Sequence, residues 1–518
     1  MNYYIMKKYS LSLIIACFTL VGLLLSCSED TSSLDWQKIE GVVIDTTGHA
    51  ELSVYQFETL RVDPNIQTSI SEQNLSYEWK INLQPNDTLF TVLSEEKILE
   101  TEIELRPNVA GQFHKLVLTV TDENTGLEYI MAWPLTVRNN IGEGLVIAQT
   151  PDGVNTDISH IMATQVTSDY EGESVKYGIY STLNESLLPG IVKQMRYYRI
   201  FGVDAILAIT DTDIYRINTL DYSLGGTNSD LFFTSTPSYS PQTLDWAPQS
   251  ETIVYNGKLT ATFLGGARKF GLPFESPYTV PDHIALNPFS YYPLPVRLTF
   301  YDEVNQQFIY QPSVSQFGDR TMRPIPNVEE GAFDPSTIEN KENLAAKVRD
   351  NGDFLHLLKD TATGEITLFI FDPGVDVWPD IIAPAPKAQY DLSAAPGIEN
   401  ATQFVFLDNQ SVMYYVSGDK LYAILYGSST PIFEERYTIP AGEEVTTLQV
   451  YQQANYPAAA PEEYLPGNNR QLIMSTYNGT EGKVYILPFI NTGVGNIDNS
   501  NIKMFAGFDR ITAITTQL

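Results

Sequence analysis

Between residues 145 and 487 a short apolar run breaks at a turn and returns as a second run, and it does so seven times. Ala205–Ile209 turns through Thr210-Asp211-Thr212-Asp213 into Ile214–Ile217. Thr252–Tyr255 turns into Lys258–Phe263 through Asn256-Gly257, a dipeptide that favours a two-residue hairpin because both positions tolerate positive φ. Phe354–Leu358 is set against Glu365–Phe371, Val412–Val416 against Lys420–Ile424, and Gln471–Thr476 against Lys483–Leu487. Leu145–Ala148 with Asp157–Ile161, and Gln307–Tyr310 with Val314–Phe317, are weaker copies. The turns centre near 152, 212, 257, 313, 363, 418 and 480, about 55 residues apart on average. One such sheet alone leaves an apolar face uncovered, whereas repeated sheets cover one another. A four-stranded blade with its loops takes roughly 40–50 residues. The expectation is therefore a β-propeller of seven blades over residues 141–518, with an irregular series of β-sandwiches as the alternative. Gln242–Trp246, Thr402–Phe406 and Val445–Val450 read as inner strands between the hairpins. Arg510–Thr515 has no hairpin behind it and is expected to complete the sheet begun near Leu145.

Residues 37–139 follow another pattern. Leu75, Tyr77, Trp79 and Ile81 alternate onto one face of a strand, since successive side chains of a strand point to opposite sides. Lys115–Val120 is a second strand, and Asp122–Gly126 turns it into Glu128–Trp133. About seven such runs in some 100 residues point to a β-sandwich. The Tyr77-x-Trp79 strand, Gly111 and the turn Val120-Thr121-Asp122 resemble a PKD-type, immunoglobulin-like domain. The resemblance implies that Trp79 is a core residue and that the domain serves as a stalk. The fold class is thus all-β throughout.

The N-terminus carries an address. Lys7 and Lys8 precede an uncharged, mostly apolar run, Leu11–Leu25. Its 15 residues fall short of the roughly 20 that span a bilayer, so residues 1–26 read as a secretion signal. Leu24-Leu25-Ser26-Cys27 reads as a lipobox, with cleavage before Cys27 and lipid attached to it. Cys17 is the other cysteine and lies in the removed segment, so a mature chain has no free thiol for disulfides, thiolate catalysis or Cys-based metal sites. Residues 27–36 form a lipidated tether, in which Ser28-Glu29-Asp30 resembles the surface-export signal of Bacteroidetes lipoproteins. Lipobox, Tyr-x-Trp domain and β-rich remainder together resemble the PKD-like family of Bacteroidetes surface lipoproteins. That resemblance implies an outer-membrane, outward-facing protein accessory to a nutrient importer, and it supplies no catalytic residues.

The formal net charge is −32, and loss of residues 1–26, with two lysines and no acid, takes it to −34. A field of that sign repels nucleic acid and anionic headgroups. His49, His114, His160, His283 and His356 match no metal-ligand spacing, and neither a His-Glu-x-x-His pair nor a Gly-x-Ser-x-Gly elbow occurs. No cofactor and no metal is expected. The acidic turns Asp211-Thr212-Asp213 and Asp350-Asn351-Gly352-Asp353 lack the spacing of a calcium loop. Asp45-Thr46-Thr47, Asp87-Thr88-Leu89 and Asp360-Thr361-Ala362 resemble an O-glycosylation sequon.

What remains is aromatic loops. Pro273–Pro295 holds Tyr291 and Tyr292, Pro373–Pro396 holds Trp378, and Tyr451–Pro466 holds Tyr456 and Tyr464. They exceed ordinary hairpin loops, and long loops on rigid scaffolds often carry binding. These five aromatics are the candidate contacts for a glycan or peptide ligand. The reading is a non-catalytic binding module held to a membrane by lipid, beside an importer. A propeller glycosidase or lyase and a structural importer subunit are the alternatives.

Overall fold

The computed structural model describes residues 41–518 other than 47–50, 106, 109–111, 201, 235–237, 249, 264–267, 316 and 378. The signal, the lipobox with Cys27 and the tether lie outside the described residues, as do Gly111, Thr47 and Trp378. Among the described residues no helix is long and apolar enough to cross a membrane. The chain divides into two compact units, with the second running on from Val137 to Leu518.

The first unit holds a five-stranded antiparallel sheet, ordered Leu52–Tyr55, Leu127–Arg138, His114–Asp122, Leu75–Asn82, Phe90–Ser94. Thr59–Val62 pairs separately with Leu99–Glu102. Leu116, Leu118 and Val120 alternate inward along one strand, as period-2 patterning requires. Trp79 is fully buried and stacks on Trp133, ring centroids 5.7 Å apart. Its indole N–H donates to Glu96 O at 3.0 Å. Trp79 is the core residue that the Tyr-x-Trp pattern implies.

Among the described residues the second unit is built from seven consecutive antiparallel sheets of four or five strands, with a small two-stranded sheet, Val375–Val377 with Asp380–Ile382, inserted within the fifth. Sheet I joins Gly144–Thr150, Asp157–Ala163 and Glu173–Lys176 to the C-terminal strand Arg510–Gln517. Sheets II to VI begin with the strands Gln194–Ile200, Pro241–Ala247, Ala285–Leu286, Lys341–Val348 and Phe404–Phe406, and each meanders outward through three more. Sheet VII begins with Glu444–Val450 and continues through Gln471–Tyr477 and Gly482–Asn491.

The second strands explain the recurring apolar runs. In Val412–Ser417, Met413 and Tyr415 pack toward sheet V while Val412 and Tyr414 pack toward sheet VII. Such a strand is buried on both faces, so it reads as an unbroken apolar run. Each sheet shares an apolar cluster with the next: I with II, II with III, and so on to VI with VII. A further cluster joins Ile473, Val484 and Ile486 of sheet VII to Leu145, Ile147 and Ile161 of sheet I. The first strands of sheets II to VII and the C-terminal strand each lie beside the next in turn, and the last returns to the first.

The C-terminal strand pairs with Gly144–Thr150, with Ile514 opposite Ile147 and Ala513 opposite Ala148, as expected from Arg510–Thr515. The copy near residue 313 is a correction. Gln307–Gln311 pairs with Leu298–Asp302 and with Arg323–Pro324, not with residues 314–317. Pro312 cannot continue the ladder as a donor. The true turn is fixed by Asp302, whose carboxylate accepts from Val304 N at 3.0 Å and from Asn305 Nδ2 at 2.6 Å.

Candidate functional site

The first strands of sheets II to VII and the C-terminal strand of sheet I surround two adjoining cavities of about 220 and about 440 Å3. Gln194, Arg196, Trp246, Lys347, Gln452 and Tyr456 line both. Each polar side chain stands at or just beyond a first strand, so its position is set by a rigid sheet rather than by a free loop.

Gln194 ties sheet II to sheet III. Its amide donates to Leu244 O at 3.0 Å while its carbonyl accepts from Leu244 N at 2.8 Å. One turn of the strand pattern further on, Arg196 pairs with Asp245 at 3.1 Å. On the other side Gln452 donates to Asp408 Oδ2 at 2.7 Å and to Asn469 Oδ1 at 3.1 Å. Its carbonyl faces the Lys347 ammonium at 3.5 Å. Lys347 forms no ion pair with a carboxylate among the described residues. Although part of its surface opens into the cavity, protein surrounds the ammonium. Burial pushes its pKa down, and the nearby charge of Asp408 opposes that shift. Asp408 is 1% exposed, and its Oδ1 has no hydrogen-bond partner among the described residues.

Two of the three aromatic loops meet here. Phe289 of Pro273–Pro295 lies edge-on to Tyr456 of Tyr451–Pro466, centroids 6.2 Å apart, and both line the smaller cavity. Burial first, and the charge of Asp408 second, push the Tyr456 hydroxyl up, yet no bond of hydrogen-bond length joins it to Asp408 Oδ1. Tyr464 stands behind Tyr456 at 5.4 Å and donates to Ala459 O at 2.7 Å. His283 also lines the cavity and is pushed down by burial, against the charge of Asp282.

Tyr456 is thus at the cavity and Tyr464 supports it. Tyr291 is not brought to it: its hydroxyl packs over the Gly352 turn, where φ is +87° and a side chain would collide with it. Tyr292 is 85% exposed and lines no cavity described here. Trp378 lies outside the described residues. The sequence reading missed Arg196, Lys347, Asp408 and Gln452. Nothing local distinguishes a polar residue facing an axis from one facing solvent, because the axis exists only once the sheets assemble. Among the described residues no group of His, Cys, Asp or Glu is placed to hold a metal ion.

A larger hollow of about 920 Å3 lies between sheets III and IV, lined by Phe233, Leu272, Phe274 and Arg320 among others. None of its lining residues carries a buried polar atom without a partner. Convergent, unsatisfied polar groups distinguish the axial cavities instead.

A family model described as the PKD-like family matches residues 27–190. No curated protein matches the chain. Among solved structures, the β-propeller domain of Cps50 (Swd1) from Myceliophteria thermophila is 13% identical, with a TM-score of 0.38, over 63% of this chain and 90% of that one. BBS1N in complex with ARL6DN is 9% identical, with a TM-score of 0.38, over 68% and 94%. PorZ, a surface component of the type-IX secretion system of Porphyromonas gingivalis, is 10% identical, with a TM-score of 0.35, over 70% and 44%.

Proposed function

We propose that this is an outer-membrane surface lipoprotein. A PKD-like domain stands near its anchor, and a seven-bladed propeller captures a glycan or peptide nutrient beside an importer without transforming it. The observation that carries the binding reading is the axial cavity, where Asp408 Oδ1 has no hydrogen-bond partner among the described residues and Lys347 reaches only Gln452 Oε1 at 3.5 Å, beside the aromatic edge of Tyr456 and Phe289. The seven-bladed reading is supported by the apolar cluster between each successive pair of sheets and by the cluster that joins the seventh to the first. The lipid anchor rests on Leu24-Leu25-Ser26-Cys27 and on the retention of cysteine at that position alone in the mature chain.

Two experiments test this reading. Labelling cells with an alkyne fatty acid should tag the wild-type chain and not Cys27→Ala, and protease added to intact cells should cleave it. An untagged wild-type chain removes the anchor. Glycan and peptide arrays probed with the full chain should give binding that Tyr456→Ala weakens, and silence on both arrays removes the capture function. Asp245, Asp282 and Asp408 on the cavity wall favour a second reading, a glycosidase or lyase. Release of product from a bound glycan would select it.

A further inference from the structure

We infer that the axial cavity takes one sugar residue of a neutral glycan, held by two neighbouring hydroxyls that bridge Asp408 and Lys347. This rests on the binding reading above and narrows it to one ligand class.

The two groups ask for complementary partners. Asp408 Oδ1 is an acceptor with no donor, on a side chain 1% exposed. A buried polar atom left unsatisfied loses its hydration without compensation. Lys347 is a donor that, among the described residues, reaches Gln452 Oε1 alone, at 3.5 Å, beyond the usual N–H···O range. Gln452 also holds Asp408 Oδ2 at 2.7 Å, so the ammonium and the carboxylate stand on either side of one amide. A hydroxyl both donates and accepts. In a vicinal diol, one hydroxyl donates to Asp408 while its neighbour accepts from Lys347.

Other ligand classes fit less well. The wall carries Arg196 and Lys347 against Asp245, Asp282 and Asp408, so a carboxylate or phosphate ligand meets a negative excess in a chain already at −32. A simple cation satisfies Asp408 and leaves Lys347 as it was. A neutral polyol satisfies both. Trp246, Phe289 and Tyr456 line the same space, and aromatic surfaces suit the apolar C–H faces of a sugar ring. The smaller cavity, about 220 Å3, is below the roughly 300–1,000 Å3 usual for drug-sized ligands. It has room for a single ring, and a longer glycan would continue into the adjoining space.

The test is calorimetric titration of the full chain with methyl glycosides of glucose, galactose and mannose, with their singly deoxygenated analogues, and with short uncharged peptides. At least one glycoside should bind at roughly millimolar affinity or better. Removing one of two adjacent hydroxyls should weaken it about tenfold or more. Asp408→Asn and Lys347→Met should each do the same while the melting temperature stays near the wild-type value. If Asp408→Asn does not fold, Lys347→Met alone decides. Peptide binding without glycoside binding overturns the sugar and leaves an axial binding site. Glycoside binding indifferent to the axial variant also overturns the inference. Silence from every probe removes both the inference and the capture reading.

Discussion

The Nδ1 atom of His160 lies 2.6 Å from the Tyr222 hydroxyl, inside the apolar cluster between sheets I and II, with both side chains fully buried. His356, in sheet V, meets the Thr299 hydroxyl through its other ring nitrogen, Nε2, at 2.8 Å. Burial pushes both imidazoles down to about 3. The folded chain therefore binds fewer protons than the unfolded one below the ordinary histidine range. Stability from these groups is complete above about 6.5 and is lost as pH falls toward 3, by up to about 1.4 kcal/mol per pH unit for each. The urea midpoint should drop between pH 6.5 and 4.5, a window above most carboxylate titration. His160→Gln and His356→Gln should each remove a measurable share of that slope, to which His283, also pushed down by burial, contributes as well. A midpoint that stays level over this window would contradict the assignment.

The last strand of the second unit packs where sheet VII meets sheet I. Ile511 is fully buried in the cluster that joins sheets VII and I. Ile511→Ala should cost about 2–5 kcal/mol, the range for a large-to-small change in a packed core. Ile432 lies in the outermost strand of sheet VI and is 50% exposed, so Ile432→Ala should change stability by no more than about 0.5 kcal/mol. Denaturant titration of both variants, read by a probe in the second unit, checks the contrast. Equal losses would mean that the terminal strand is no more critical than an outer one.

Glu251 is completely buried in the second strand of sheet III, between the guanidinium groups of Arg268 and Arg216, the latter at 3.6 Å. Burial pushes Arg216 down, and the charge of Glu251 opposes the shift. Removing one partner strands the others. Glu251→Leu alone should cost about 3–5 kcal/mol. Adding Arg216→Met and Arg268→Met should recover most of the loss, because an apolar replacement of the whole cluster avoids desolvating any charge. If the triple variant is no more stable than the single one, packing rather than charge holds this corner.

The hairpins were legible because a strand covered by two neighbouring sheets must be apolar on both faces, as Ala205–Ile209 and Val412–Val416 are. The misplaced turn near 313 came from giving weight to apolar spacing across Pro312, where the carboxylate of Asp302 is the stronger local determinant. Aromatic loops led to Tyr456 and Tyr464, but the same rule also selected Tyr292, which stands in solvent. Arg196 and Lys347 could not be found that way. Each occupies an ordinary alternating position of a strand, and its chemistry depends on facing residues from other sheets, about 50 positions away for Arg196 and 105 for Lys347.

Lys347 permits a last prediction that separates function from stability. Its ammonium is desolvated without an ion-pair partner among the described residues, so the folded state holds the charged form less willingly than the unfolded chain does, and its pKa is pushed down. The penalty is absent above the unfolded value near 10.5 and grows as pH falls below it, since the unfolded chain then binds the extra proton. Methionine keeps the unbranched stem and removes the charge. At pH 7 Lys347→Met should therefore be as stable as the wild type or more so, by about 1 kcal/mol, and the advantage should shrink as pH rises toward 10.5. Tyrosines also titrate near pH 10, but they are common to both proteins and cancel in the difference. A binding site that leaves a cation poorly satisfied until its ligand arrives should show this combination of greater stability and lost binding. If Lys347→Met is instead destabilised at pH 7 with no pH dependence in the difference, the ammonium is a structural prop, and its place on the cavity wall has nothing to do with ligand.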